Sequence, residues 1–214
     1  MIKTLDLGTL EYRQAWSLQE KLHEQVAAGD SEKLLLVEHL PVITIGRREQ
    51  GFEHLLAKPE DLKRLGVGLV HSDRGGDITF HGPGQIVIYP IIRLNDHALS
   101  VGGYVRALEN AVIAALQSFA IPARRESGAV GIWTDLGKVC AIGVRIRRGT
   151  SLHGLALNVT TDLRYFNLIV PCGLTGRTAT SVQQLLGDAT PPMEQIKKQL
   201  VKSLIESLNA VPAE

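Results

Sequence analysis

Between residues 34 and 159 the apolar residues fall repeatedly into short strand-like runs, and helical periodicity interrupts them only twice. Residues 34–37, 42–45, 67–70, 86–94, 130–133, 139–146 and 155–159 read as strands. Pro41 separates the first two. Pro90 has no N–H to give, so the run that holds it reads as an edge strand or as one bulged there. Residues 59–65 read as a short helix, with Pro59 at its start and Gly66 past its end. Residues 101–119 form the clearest helix: Val101, Val105, Leu108, Val112, Ala115 and Phe119 make one apolar stripe, and Ser100 can cap it. Helical spacing also runs through residues 11–28, on Tyr12, Ala15, Trp16, Leu22 and Val26, with Gly29 as a stop. A last helix opens at Thr190-Pro191-Pro192 and places Met193, Ile196, Leu200 and Leu204 on one face. Strands therefore cluster in the middle, helices flank them, and no regular βαβ alternation appears. This pattern predicts an α+β fold with a mixed, mostly antiparallel sheet flanked by helices, not a doubly wound one.

The chain of 214 residues is long enough for one sizeable core, and a single domain over residues 1–214 is expected. Hydrophobic residues at 44% and charged residues at 21% are ordinary for a globular protein. A formal net charge of +1 gives no reason to expect a nucleic-acid or membrane partner. The N-terminus has no apolar signal region, and no apolar run approaches the roughly 18 residues that a membrane helix needs. A soluble, cytoplasmic protein is expected. Two cysteines, Cys140 and Cys172, are too few for a disulfide scaffold.

Three segments break the core-forming pattern. The first is RGGDITFHGPGQ at residues 74–85, with four glycines beside Arg74, Asp77 and His81. It reads either as an irregular surface loop or as a loop whose backbone approaches a ligand closely. It is not a phosphate-binding Walker loop, because no Gly-Lys-Ser/Thr follows. The second is GKVCAIGVRIRR at residues 137–148. Lys138 at its start is either a solvated strand end or a lysine pointed into a site. Arg145 and Arg147 share one strand face, which reads as an exposed face or as a docking surface for an acidic carrier protein. The third is IVPCGL at residues 169–174, where Pro171 and Gly173 put Cys172 in a turn that can expose its thiol. Cys140 lies inside an apolar strand pattern and reads as core. Sequence spacing does not show whether Lys138 and Cys172 meet.

The segments RGGDITFHGPGQIVIYPIIRL, GIWTDLGKVCAIGVRIRRGTSLHGLALNVTTDL and YFNLIVPCGL together resemble the bacterial lipoyl/octanoyl transferase family, in that family's order and across residues 34–186. The resemblance implies a fold similar to the catalytic domain of biotin and lipoate protein ligases. It implies that Cys172 carries an acyl thioester and that Lys138 activates the thiol. It further implies an acyl site lined by Arg74, Gly75, Gly76, Asp77, Ile78, Thr79, Phe80 and His81, by Ala141, Ile142 and Gly143, and by Gly154, Leu155 and Ala156. His81 and His153 take supporting roles. One departure is Cys140, where the family commonly has a small apolar residue such as alanine.

The implied reaction moves an octanoyl group from octanoyl-acyl carrier protein to a lysine of apo lipoyl domains, those of 2-oxoacid dehydrogenases or the glycine cleavage H protein. Thioester to amide is downhill, so no cofactor and no metal is expected. A free thiol titrates at about 8.5 and a free lysine at about 10.4, so a nearby amine can take the thiol proton. Backbone N–H groups of Ala141, Ile142 and Gly143 and near Cys172 are candidate oxyanion donors. Three rival readings make different predictions. An ATP-dependent ligase on the same fold would release pyrophosphate, a Cys/His hydrolase using His81 or His153 would release free acid, and a non-catalytic acyl-binding module would show no covalent mass change.

Overall fold

A computed structural model describes residues 2–48, 53–170 and 178–210. Its large sheet has seven strands in the order β1-β2-β6-β10-β9-β8-β7. These are β1 (Lys3–Leu10), β2 (Lys33–His39), β6 (Gln85–Ile91), β7 (Arg124–Glu126), β8 (Ala129–Thr134), β9 (Gly137–Arg147) and β10 (Thr150–Asn158). A second sheet of three strands, β4-β3-β5, is built from β3 (Val42–Ile45), β4 (Gly68–His71) and β5 (Ile78–His81). Each sheet has one parallel pair, β1 with β2 and β3 with β4, and the remaining ladders are antiparallel. The helices are α1 (Tyr12–Ala27), α2 (Pro59–Arg64), α3 (Val101–Gln117), α4 (Val182–Leu186) and α5 (Met193–Asn209).

Period-2 alternation divides the large sheet between two helical layers. Leu34 and Leu36 of β2 and Ile86 and Ile88 of β6 face α3 and α5, packing with Tyr104, Leu108, Val112, Leu200 and Leu204. Their neighbours Leu35, Val37, Val87 and Tyr89 face the other way, toward Ala15 and Val26 of α1. Burial on both faces explains why β2 and β6 read as continuous apolar runs instead of alternating ones. The mixed sheet flanked by helices is the α+β arrangement expected from the pattern.

Four local expectations change. Pro90 does not mark an edge, because β6 lies between β2 and β10 and Pro90 pairs opposite Leu34. Its missing N–H falls where β10 leaves the ladder: the β6–β10 register ends at Leu155 opposite Ile88, and His153 takes a positive φ of 57°. Strands β1, β5 and β7 were not expected; β1 is an exposed edge with weak alternation, and β5 hides within the glycine-rich segment. Ser100 caps α3 as expected, accepting from the Gly103 N–H, but Val101 is exposed and the buried stripe runs through Tyr104, Leu108, Ala111, Val112 and Ala115. Finally, Arg145 and Arg147 do not stand unpaired on an open strand face. Arg145 is ion-paired with Asp73, and Arg147 Nη2 lies 2.6 Å from Glu20 and 2.9 Å from Glu24 of α1. Both guanidinium groups are taken up in joining β9 to its neighbours.

Candidate active site

The two sheets meet along a cleft on the α1 side of the large sheet. Its walls come from the segment before β5, from the middle of β9 and β10, from β6 and from the start of α1. The glycine-rich segment is not a surface loop: Arg74, Asp77 and His81 are all buried. Arg74 donates from Nε to Thr44 Oγ1 at 3.1 Å and from Nη2 to the Thr44 carbonyl at 2.7 Å, tying this segment to β3. Arg74, Gly76, Asp77, Ile78, Thr79 and His81 line the cleft, as do Ala141, Ile142, Gly143, Gly154, Leu155 and Ala156. Gly75 is set back, its N–H donating to the Val144 carbonyl at 3.0 Å. Phe80 faces the core of the small sheet, where its ring stacks on Tyr165 at 4.7 Å between centroids.

Lys138, half-buried at the start of β9, lines this cleft. Its Nζ donates to the Val130 carbonyl at 3.0 Å and sits 4.7 Å from the centroid of the Trp133 ring. The backbone is held against residues 178–180. Lys138 N–H donates to the Thr178 carbonyl and its own carbonyl accepts from Thr180 N–H, both at 2.9 Å. The β8–β9 ladder shifts register between Ile132 and Trp133, next to Gly131 at φ 118°. A Cβ on Gly131 would lie 2.6 Å from the Cys140 carbonyl and 3.3 Å from Lys138 Cε, so this position has no room for any other residue.

Cys172 lies outside the described residues. The segments on both sides of it are described, and both border the cleft. Before it, Leu55 bridges Ile169 and Val170 N–H donates to the His54 carbonyl at 2.7 Å. His54 Nδ1 lies 2.7 Å from Asp77 of the cleft wall. After it come Thr178 and Ala179, which line the cleft beside Lys138. Cys140 is core, as its apolar context implied: it is fully buried, and burial pushes its thiol up to about 12. A thiol in that state is not a nucleophile at neutral pH.

The histidines at the far end of the cleft have assignable tautomers, because backbone carbonyls only accept. Asn158 Nδ2 donates to the Thr180 carbonyl at 3.0 Å, which turns Asn158 Oδ1 toward Gln85. Gln85 Nε2 donates to that oxygen at 2.9 Å and to the Phe80 carbonyl at 3.2 Å, which turns its Oε1 to His81 Nδ1 at 2.8 Å. His81 therefore carries its proton on Nδ1. Burial, with His39 and Arg74 adjoining, holds its pKa well below the usual imidazole value. His39 gives Nδ1–H to the Leu10 carbonyl at 3.0 Å and accepts the Tyr89 hydroxyl on Nε2 at 2.7 Å. Burial pushes it down to about 4. His153 Nε2 lies 2.6 Å from Asp73, a contact that favours imidazolium. Burial, with Arg74 beside it, pushes its pKa down to about 3, and Arg145 shares Asp73.

The sequence alone did not single out Tyr12, Tyr89, Gln85 and Asn158 as cleft residues. They read locally as core or as loop, and only the pairing of distant strands brings them together. Among the described residues, no group of three or more His, Cys, Asp or Glu side chains is placed to hold a metal ion.

The model of the lipoyl protein ligase A/B catalytic domain matches residues 11–205. An octanoyltransferase from Chloroflexus aggregans is 46% identical over 202 residues, covering 92% of this chain and 90% of that protein. A solved bi-partite lipoate protein ligase from Thermoplasma acidophilum aligns with a TM-score of 0.80 at 19% identity, covering 96% of this chain and 83% of that one. Biotin protein ligase from Aquifex aeolicus, in complex with biotin and ATP, aligns with a TM-score of 0.59 at 14% identity, covering 96% and 70%. At such identities the structural likeness carries the fold alone, which is the one that the sequence motifs implied.

Proposed function

The chain belongs to the lipoyl protein ligase A/B catalytic domain family, and from that membership we propose a two-step route in which Cys172 holds the acyl group between donor and acceptor. Octanoyl transfer in lipoate biosynthesis is the activity that fits a chain 46% identical to an octanoyltransferase over nine-tenths of both lengths. The donor in this reading is octanoyl-acyl carrier protein, and the acceptor is a lysine of an apo lipoyl domain, from a 2-oxoacid dehydrogenase or the glycine cleavage H protein. The place of action is the cytoplasm; among the described residues no helix is long and apolar enough to cross a membrane.

One observation carries the mechanism: Lys138 reaches into the cleft from β9 while its backbone is hydrogen-bonded to Thr178 and Thr180, on the segment that leads away from Cys172. The amine takes the thiol proton, and the ammonium formed stabilises the thiolate. The thiolate attacks the thioester carbonyl, the carrier's sulfur takes the proton from the Lys138 ammonium as it leaves, and the octanoyl group remains on Cys172. The acceptor lysine then gives up a proton to neutral Lys138 and attacks the same carbonyl. An amide forms, and the Cys172 thiol is restored. From Ala141 onward β9 has β10 as its strand partner and no β8 register, which leaves its other edge toward the cleft for oxyanion donors.

Intact mass spectrometry tests this reading. Mixing with octanoyl carrier protein should add one octanoyl group at Cys172, and an apo lipoyl domain should remove it. Cys172→Ser should abolish the adduct. Capture of the acyl group by that variant at the normal rate, or pyrophosphate release from free octanoate and ATP, would overturn the assignment.

A further inference from the structure

We propose that the ring cluster of Tyr12, Tyr89 and His81 is the floor of the acyl slot and sets the length of chain the enzyme accepts. This rests on the proposed thioester at the Lys138 end of the cleft.

The cleft runs across the strands, not along them. Ala141, Ala156 and Val87 stand opposite one another on β9, β10 and β6, and all three line the cleft. Small apolar side chains thus pave a straight path from the strand that bears Lys138 to β6. Neighbouring strands lie about 4.8 Å apart, so crossing from β9 to β6 covers about 10 Å. Seven carbon–carbon bonds of ~1.5 Å, zigzagged, span about 9 Å. An eight-carbon acyl chain whose carbonyl lies at Lys138 therefore brings its terminal methyl to β6.

At that point the wall changes character. Tyr12, Tyr89 and His81 line the cleft there, and all three are almost fully buried. Their rings are locked to one another and to rings behind them. Tyr12 stacks on His81 at 5.9 Å, His39 contacts both, and Tyr12, Trp16, His153, Tyr89 and His39 close a circuit with centroids between 5.2 and 6.3 Å apart. Hydrogen bonds fix the cluster from outside: Tyr12 to Ser72 at 2.9 Å, Tyr89 to His39 at 2.7 Å, and His81 to Gln85 at 2.8 Å. A longer chain would have to part rings that cannot move without breaking buried hydrogen bonds. It would also press hydrocarbon against the phenol and imidazole edges. A shorter chain would leave apolar wall uncovered and bind about fourfold more weakly for each methylene withheld.

The test is a panel of acyl carrier thioesters of six, eight, ten and twelve carbons, read as the rate of acyl-enzyme formation by mass spectrometry. The wild type should lose at least tenfold in kcat/KM from eight carbons to ten. His81→Ala, which opens the floor, should raise the ten-to-eight ratio at least tenfold. Ala156→Val, which narrows the path midway, should raise the six-to-eight ratio. Wild-type acceptance of twelve carbons as readily as eight would overturn the proposal, whether or not either variant folds. So would an unchanged ratio in a variant shown by its circular dichroism to be folded. Failure of the underlying thioester reading looks different, since no length would then form an adduct on the wild type.

Discussion

Lys138 shows how much a single side chain depends on what lets it through. Its Nζ is steered by the Val130 carbonyl and the Trp133 ring, and its stem passes over Gly131. Lys138→Met keeps the length and the packing but removes the base. Both acyl loading and acyl discharge should slow by about 10²- to 10⁴-fold, the usual worth of a positioned general base. Rapid-quench mass spectrometry of each half-reaction checks this, and a loss confined to one half would disprove the shared role. Gly154 illustrates the opposite constraint. A Cβ there would lie 2.1 Å from the Ile88 carbonyl and 2.8 Å from Pro90 Cδ. Gly154→Ala should cost about 1–3 kcal/mol through forced displacement of β6 from β10, visible as a lower melting temperature.

At the scale of elements, the long strands β9 and β10 do two jobs. Their middle residues pave the cleft, while their far ends are tied to α1. Arg147 contacts Glu20 and Glu24, His23 Nε2 donates to the Arg147 carbonyl at 3.0 Å, and Gln19 accepts from His153 N–H at 2.9 Å. This explains why α1 carries the polar residues Gln19 and His23 on its buried face. They meet a polar strip of the sheet, not hydrocarbon. Because the Arg147 guanidinium is about a quarter exposed and shared between two carboxylates, Arg147→Ala should cost only about 1 kcal/mol or less. The KM for the acyl carrier should be unchanged. A large rise in that KM at normal stability would restore this strand face as a carrier-docking surface.

For the molecule as a whole, the buried imidazoles predict an acid limb of stability. Histidine in an unfolded chain binds its proton below about pH 6.5. Burial holds His39 unprotonated in the fold down to about 4, and His81 and His153 are shifted in the same direction. Unfolding therefore takes up protons between these values, and stability falls as the pH drops through that window. Above about 6.5 these groups contribute no slope. For His39 alone the total is roughly 3 kcal/mol. Urea melts from pH 7.5 to pH 4 should show the decline. His39→Asn, which keeps a donor for the Leu10 carbonyl, should reduce the slope by about one proton. An unchanged slope would mean that His39 is not the group responsible.

The apolar runs, the caps and the proline and glycine stops were enough to place most helices and strands and the α+β class, because burial periodicity and termination are local. The residue strings around Arg74, Lys138 and Cys172 were enough to pick out one family and a candidate site. Which strand lies beside which was not local information. Pro90 reads as an edge or a bulged position until β6 is seen to lie between β2 and β10, and Arg145 and Arg147 read as an exposed face or a docking surface until α1 and Asp73 are seen to pair with them. Tyr12, Gln85, Tyr89 and Asn158 come from three elements far apart in the chain, α1, β6 and β10. The cleft exists only where the central strands of one sheet meet the edge of another. Tertiary structure decided it, since contacts between residues far apart in sequence leave no periodic mark on either segment alone.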